Sequence, residues 1–188
     1  MKGFMAFTQT DYELPNKGGG SYLNFKEEGK HQFRFMGDVY TYNRYWKGKK
    51  PFVYTDKSQI PADVDVSTFT GKPQIEHAWA VVAILKDKAG KPEQIGILEI
   101  PQSTVQKQLM SFYQDKDYGD FCNYDIVVTT ETKPKVTYTV LPKPAKAATK
   151  DEVEMYEGFE GKDLKAHYAV EKFNSKLFED VDPSELPF

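Results

Sequence analysis

His77-Ala78-Trp79-Ala80-Val81-Val82-Ala83-Ile84-Leu85-Lys86 is the most strongly apolar run in the chain. Both alternate faces are apolar in its middle, so it reads as a strand at the centre of a sheet or barrel, covered on each side. Trp79 stands near its start, where a ring can serve either the core or an open face. A polar turn with Gly90 and Pro92 follows, and Gln94 to Ile100 is the next strand, Ile95 and Ile97 opposed to Leu98 and Ile100.

Downstream, Ser103 with Gln106 three residues later has the form of a capping box. Val105, Leu109 and Phe112 then recur at helical spacing, with Met110 and Tyr113 widening the stripe and Gln106, Lys107, Gln108 and Gln114 facing solvent. This predicts a helix that ends before Asp117-Tyr118-Gly119-Asp120 and lids a core. Tyr124 to Thr130 and Lys135 to Leu141 read as two further strands, the second with Val136, Tyr138 and Val140 inward. Upstream, Gly29 to Val39 reads as the first strand. Phe33 and Phe35 point to the core there, and Arg34 points the other way, toward a binding face.

Between the first strand and His77 lies Val39 to Thr55, VYTYNRYWKGKKPFVYT, with six aromatic residues, four cations and no acid. Alternation puts Tyr40, Tyr42, Arg44 and Trp46 on one face of an extended strand. Lys47-Gly48-Lys49-Lys50-Pro51 turns the chain, and Phe52 and Tyr54 begin a returning strand. Rings interleaved with cations suit an unpaired nucleic-acid strand. Each base offers a face to stack, worth about 1–3 kcal/mol, and each phosphate needs a cation. In this reading Arg34, Arg44, Lys47, Lys49 and Lys50 hold phosphates, and Tyr42, Trp46, Phe52 and Tyr54, with Tyr45 and Trp79, stack bases. The alternative is an aromatic hairpin packed on a core with solvated lysines at its tip. Asp56 to Ile75, with Pro61, Gly71 and Pro73, is a long loop of the kind that is usually functional or disordered.

The order strand, strand, strand, helix, strand, strand, with an elaborated loop between strands one and two, is that of the OB-fold. That five-stranded barrel carries one helix between strands three and four, and it binds oligonucleotides on the face of its second and third strands and through the loop after its first. The aromatic-basic segment occupies that loop. The chain divides into a flexible lead-in (1–21), an OB-fold nucleic-acid-binding domain (22–142) and a linker with a flexible acidic tail (143–188).

Composition agrees with a mainly β binding protein. Tyr (12) and Phe (13) outnumber Trp (2), as suits strands and stacking surfaces. The net charge of −3 hides a split: residues 1–150 carry 21 Lys/Arg and 17 Asp/Glu, residues 151–188 carry 4 and 11. A basic body with an acidic end often accompanies nucleic-acid binding. One cysteine, Cys122, leaves no internal disulfide and no cysteine zinc site. No apolar run nears the roughly 20 residues of a membrane span, and no signal peptide is evident, so an intracellular, soluble protein is expected. No cofactor is expected. Asn16-Lys17-Gly18-Gly19-Gly20-Ser21 has neither the strand nor the GK[ST] helix of a phosphate loop. The end, Phe178 to Phe188, is acidic and proline-broken, either a solubilising tail or a docking peptide with Asp182, Glu185, Leu186, Pro187 and Phe188 as its contacts.

Residues 22–142, above all EIPQSTVQKQL and the YGD…YDIVVT stretch, resemble the single-stranded-DNA-binding proteins of tailed bacteriophages. The resemblance implies an OB-fold that coats and protects unpaired DNA in replication, recombination and repair, without enzymatic activity, in the cytoplasm of an infected bacterial host. DPSELPF resembles the acidic Pro-Phe tips of bacterial single-stranded-DNA-binding proteins, which recruit replication and repair enzymes, with Leu186 where Ile is usual and Ser184-Glu185 interrupting the acids. Two other functions stay open. One is a metal-dependent nuclease built on Asp115, Asp117, Asp120 and Asp125. The other is a protein-interaction barrel that never meets nucleic acid.

Overall fold

The computed structural model describes residues 22–64 and 74–179. The lead-in, the middle of the long loop and the terminal tip lie outside the described residues. With the tip go the proposed partner contacts Asp182, Glu185, Leu186, Pro187 and Phe188.

The chain is mainly β. In order it forms β1 (Tyr22–Leu23), β2 (Gly29–Phe35), β3 (Tyr40–Lys47), β4 (Lys50–Tyr54), β5 (Ile75–Lys86), β6 (Pro92–Ile100), α1 (Ser103–Tyr113), β7 (Asp125–Glu131), β8 (Thr137–Pro142), α2 (Lys150–Gly158), α3 (Leu164–His167) and α4 (Val170–Glu179). One mixed sheet runs β1-β6-β5-β2-β7-β8, with only the β1–β6 pair parallel. β2 and β3 share one edge of β5: β2 pairs with its last four residues and β3 with its first six. β4 returns on the outer edge of β3. The first strand, expected over Gly29 to Val39, ends at Phe35, and residues 36–39 link it to β3. β3 and β4 form the aromatic-basic hairpin.

β5 is central, as its two apolar faces require. Val81 and Ala83 join Phe33, Phe35, Leu98, Ile100, Ile126, Val128 and Val140 on one face, under Val105 and Leu109 of α1. Ala78, Ala80 and Val82 join Ile97 on the other. A one-residue slip would exchange these two sets, so packing on both sides fixes the register. Each fully buried Phe, Leu or Ile contributes about 1.5–3 kcal/mol.

Among the described residues no ladder joins β6 to β8, so the sheet is open. α1 bridges the gap with side-chain amides. Gln108 Nε2 donates to Tyr138 O at 3.0 Å and its Oε1 accepts from Val140 N at 2.9 Å, so one glutamine pairs with the β8 edge as a strand would. Gln106 Nε2 donates to Ile100 O at 2.7 Å and His77 O at 3.0 Å. These bonds correct two expectations: Gln108 does not simply face solvent, and Gln106 does not close a capping box. The helix N-cap is Gln102, which makes no side-chain cap bond. Val136 is also corrected. It precedes β8 and is 55% exposed, while Tyr138 and Val140 turn inward.

The largest departure is at residues 143–179, read from sequence as linker and flexible tail. Lys143 to Ala148 runs beside β7, with Lys143 N donating to Asp125 O at 2.8 Å and Lys146 N to Asn123 O at 2.9 Å. Thr149 caps α2 and forms a true capping box with Glu152. α3 and α4 then lie over the second face of β5. Leu164 and Tyr168 are buried there against Tyr42, Val53, Ala78, Ala80, Val82 and Ile97. Asn174 closes the β4 edge: its Nδ2 donates to Val53 O and its Oδ1 accepts from Val53 N, both at 3.0 Å. No helix among the described residues is long and apolar enough to cross a membrane.

Candidate nucleic-acid interface

The β3–β4 hairpin sorts its residues by alternation. Gly48 takes φ +62° at the first position of the two-residue loop, as a tight turn of the II′ kind requires. Directly opposed residues share a face. Tyr42 opposes Ala78, Arg44 opposes Glu76 and Val53, and Trp46 opposes Pro51, all on the face under the C-terminal helices. Thr41 opposes Trp79, Asn43 opposes His77 and Tyr54, Tyr45 opposes Ile75 and Phe52, and Lys47 opposes Lys50, on the other face.

The first face is largely closed. Tyr168 stacks on Tyr42 at 4.2 Å and 22° and lies parallel to Tyr40 at 6.1 Å. The Tyr42 and Tyr168 hydroxyls both donate to Glu99 Oε1, at 2.9 and 2.6 Å. Burial first, and then the Glu99 charge, push both phenols far above their ordinary range. Arg44 is buried and bridges Glu76 and Glu99, each at 2.8 Å, with its guanidinium 5.1 Å from the Trp46 ring centre. Trp46 is half-buried and donates from Nε1 to Glu76 at 2.9 Å. On this side of the sheet Arg34 is 1% exposed, facing Asp125 at 3.3 Å and donating to Lys146 O. Arg34 and Arg44 thus already face carboxylates, and the reading of them as phosphate holders, like that of Tyr42 as a base stacker, does not fit this packing. The reason is the C-terminal segment, which covers the face the sequence reading left open.

Among the described residues the second face is covered at Tyr45 and Tyr54 and exposed at Thr41, Lys47 and His77. Tyr45 and Tyr54 are buried under Ile60 and Val64, whose loop starts with a 3-10 turn at Lys57–Gln59 capped by Asp56. Phe52 stacks on Tyr45 at 5.3 Å and 12° and stays half-buried. Beyond it, His77 and Asn43 share a hydrogen bond of 2.9 Å, and His77, Thr41 and Lys49 are exposed. Lys47 is 55% exposed and reaches Asp63 at 3.4 Å. The row runs from the Lys47–Lys50 tip over Phe52 and His77 to half-buried Trp79. Ile75 and Trp79 are four residues apart, or about 13 Å along the strand.

At Trp79 the row opens into a groove of about 380 Å³ between β3, α1 and the 3-10 turn at Phe121–Asn123. Its walls include Val39, Met110, Phe121 and Tyr113, which is 52% exposed, and Asp38 and Asp120 stand at it. The sequence reading gave Tyr113 to the helix stripe and Asp120 to a metal site; it did not bring them together with Asp38 in one groove. The only signal was that Tyr113 ends the helix stripe and Asp120 begins the following turn. A larger groove of about 650 Å³ crosses β2, β5, β7 and β8. Its lining includes Lys30, Lys88 and Lys143 with Asp87 and Glu93, and among the described residues His31 is its one aromatic ring.

The acids proposed for metal chemistry are used locally. Asp115 Oδ1 accepts from Asp117 N, Asp120 Oδ1 accepts from Cys122 N, and Asp125 pairs with Lys86 at 2.7 Å as well as with Arg34. Among the described residues no three His, Cys, Asp or Glu side chains converge as a metal site. A scan against protein-family models gives no match, and searches of curated proteins and of solved structures give none.

Proposed function

We propose that the chain binds single-stranded DNA along the uncovered hairpin face, without strong sequence dependence. One observation carries this: Lys47, Lys50, Phe52, His77 and Trp79 share one sheet face that the helices do not cover, with exposed Lys49 at its end. Cations at one end and rings along the row supply the two contacts a single strand needs. The order of the strands, the helix after β6 and the loop position of the hairpin support the OB-fold form of this reading, with α1 in place of a closing ladder. The phage resemblance adds a role in coating and protecting DNA during replication or recombination in an infected bacterial cytoplasm. The tip Asp182, Glu185, Leu186, Pro187 and Phe188 recruits partner proteins in this account. Its removal abolishes partner capture and leaves DNA binding intact.

The test is intrinsic fluorescence during titration with a single strand and with duplex of equal length, at two salt concentrations. Strong quenching by the single strand alone, weakening steeply with salt and reduced about five- to a hundredfold in affinity by Phe52→Ala, supports the proposal. Equal response to duplex, or none to either, overturns it.

A further inference from the structure

We propose that the Trp79 groove is a base-reading pocket that takes a nucleobase with adjacent N–H donors, guanine before thymine. The inference rests on the single-strand reading and adds a local base preference to it.

The groove lies at one end of the hairpin row, since Thr41 is directly opposed to Trp79 on that face. Three rings stand in its walls, beside Val39 and Met110: Trp79 from β5, Tyr113 from α1, and Phe121 tilted against Tyr113 at 5.4 Å and 38°. Its charges are of one sign. Asp38 and Asp120 both stand at it, and among the described residues no lysine or arginine lines it. Such a groove repels phosphate. It suits a flat, uncharged ring whose edge donates hydrogen bonds. The two acids differ in readiness. Asp120 Oδ1 is anchored by Cys122 N at 2.9 Å, while Asp38 has no hydrogen-bond or ion-pair partner among the described residues. A carboxylate accepts well from an amino group on a base edge. Guanine offers N1–H and N2–H side by side, whereas thymine flanks its one N–H with two carbonyls that a carboxylate repels. The adjoining phosphates stay outside the groove, and those farther along the strand reach the lysine tip, about 20 Å from Thr41 along β3.

The experiment uses the full chain carrying Trp46→Phe, so that Trp79 is the only reporting tryptophan. It is titrated with oligo(dT) and with the same strand carrying one central dG. The expected result is quenching by both, with about tenfold tighter binding of the dG strand. That preference disappears in Asp38→Asn with Asp120→Asn, while binding to oligo(dT) is kept or strengthened. Asparagine is isosteric and can still cap the turn at Cys122, and an unchanged urea midpoint verifies folding. Equal affinity for the two strands overturns the pocket and leaves the single-strand reading standing, as does a preference that survives the double substitution. No response to either strand overturns both. Quenching by a lysine-rich peptide but by neither strand makes the groove a protein-docking site and also overturns the inference.

Discussion

Tyr168→Ala is the sharpest perturbation of this fold, because it separates an integral C-terminal segment from a loose tail. Tyr168 is 1% exposed, stacks on Tyr42 at 4.2 Å and on Phe173 at 5.4 Å, and donates to Glu99 at 2.6 Å. Truncating a buried aromatic residue to alanine costs about 3–5 kcal/mol. The lost charged hydrogen bond lies partly within that figure, since Glu99 keeps Tyr42 and Arg44 as partners. We expect about 4 kcal/mol for Tyr168→Ala and about 1.5 kcal/mol for Tyr168→Phe, which keeps the stack and loses only the hydroxyl bond. At a typical urea slope of about 2 kcal/mol/M these become midpoint shifts of about 2 M and about 0.7 M. The assay is urea unfolding followed by far-UV circular dichroism and by tyrosine fluorescence, which should move together. A shift below about 0.3 M for Tyr168→Ala would falsify the docking of α3 and α4, and residues 150–179 would then be a tail.

Three further outcomes follow from the same geometry. If the proposed face binds DNA, Lys47→Ala with Lys49→Ala removes two phosphate contacts, so the slope of log affinity against log salt for a single strand should fall by about 1.4; an unchanged slope places the DNA elsewhere. The folded state holds Tyr42 and Tyr168 protonated, through burial and then the Glu99 charge. Their stabilising contribution is therefore complete below the unfolded phenol value near 10 and is lost as pH rises beyond it. Thermal unfolding should weaken progressively above about pH 10, less so in Tyr168→Phe, and a flat profile contradicts this. The Cys122 thiol is pushed up from 9.0 to about 11 by burial and then by Asp120. Alkylation at pH 8.5 should run roughly a hundredfold slower than for a free thiol, and a comparable rate refutes its placement.

Local pattern made most of the sheet legible. The middle of His77 to Lys86 announced a two-faced central strand, Phe33 and Phe35 announced an inward row, and Val105 with Leu109 announced the helix stripe; residues 80–84 and those four are buried as read. Alternation also separated Tyr40, Tyr42, Arg44 and Trp46 from Thr41, Asn43, Tyr45 and Lys47 of the same strand correctly. It did not reveal which face stays open. That depended on Leu164 and Tyr168, which stand in an acidic segment too sparse in apolar residues to look like part of a core. Their anchors are long-range: Tyr168 meets Glu99, and Glu152 meets Lys86 at 2.5 Å. A buried acid such as Glu152 reads from sequence as a solvated charge, because its partner is invisible there. The same holds for Gln106, Gln108 and Asn174, whose amides close strand edges that only the folded chain brings near.

The central claim is that DNA runs over the face bearing Phe52 and Trp79 and not over the face bearing Trp46. With two tryptophans in the chain, one on each face, a pair of single substitutions tests it directly. Titration of Trp46→Phe and of Trp79→Phe with a short mixed-sequence single strand should quench the first strongly and the second only weakly. Strong quenching of Trp79→Phe with little change in Trp46→Phe would put the strand on the opposite face, beneath the displaced C-terminal helices, and contradict the account.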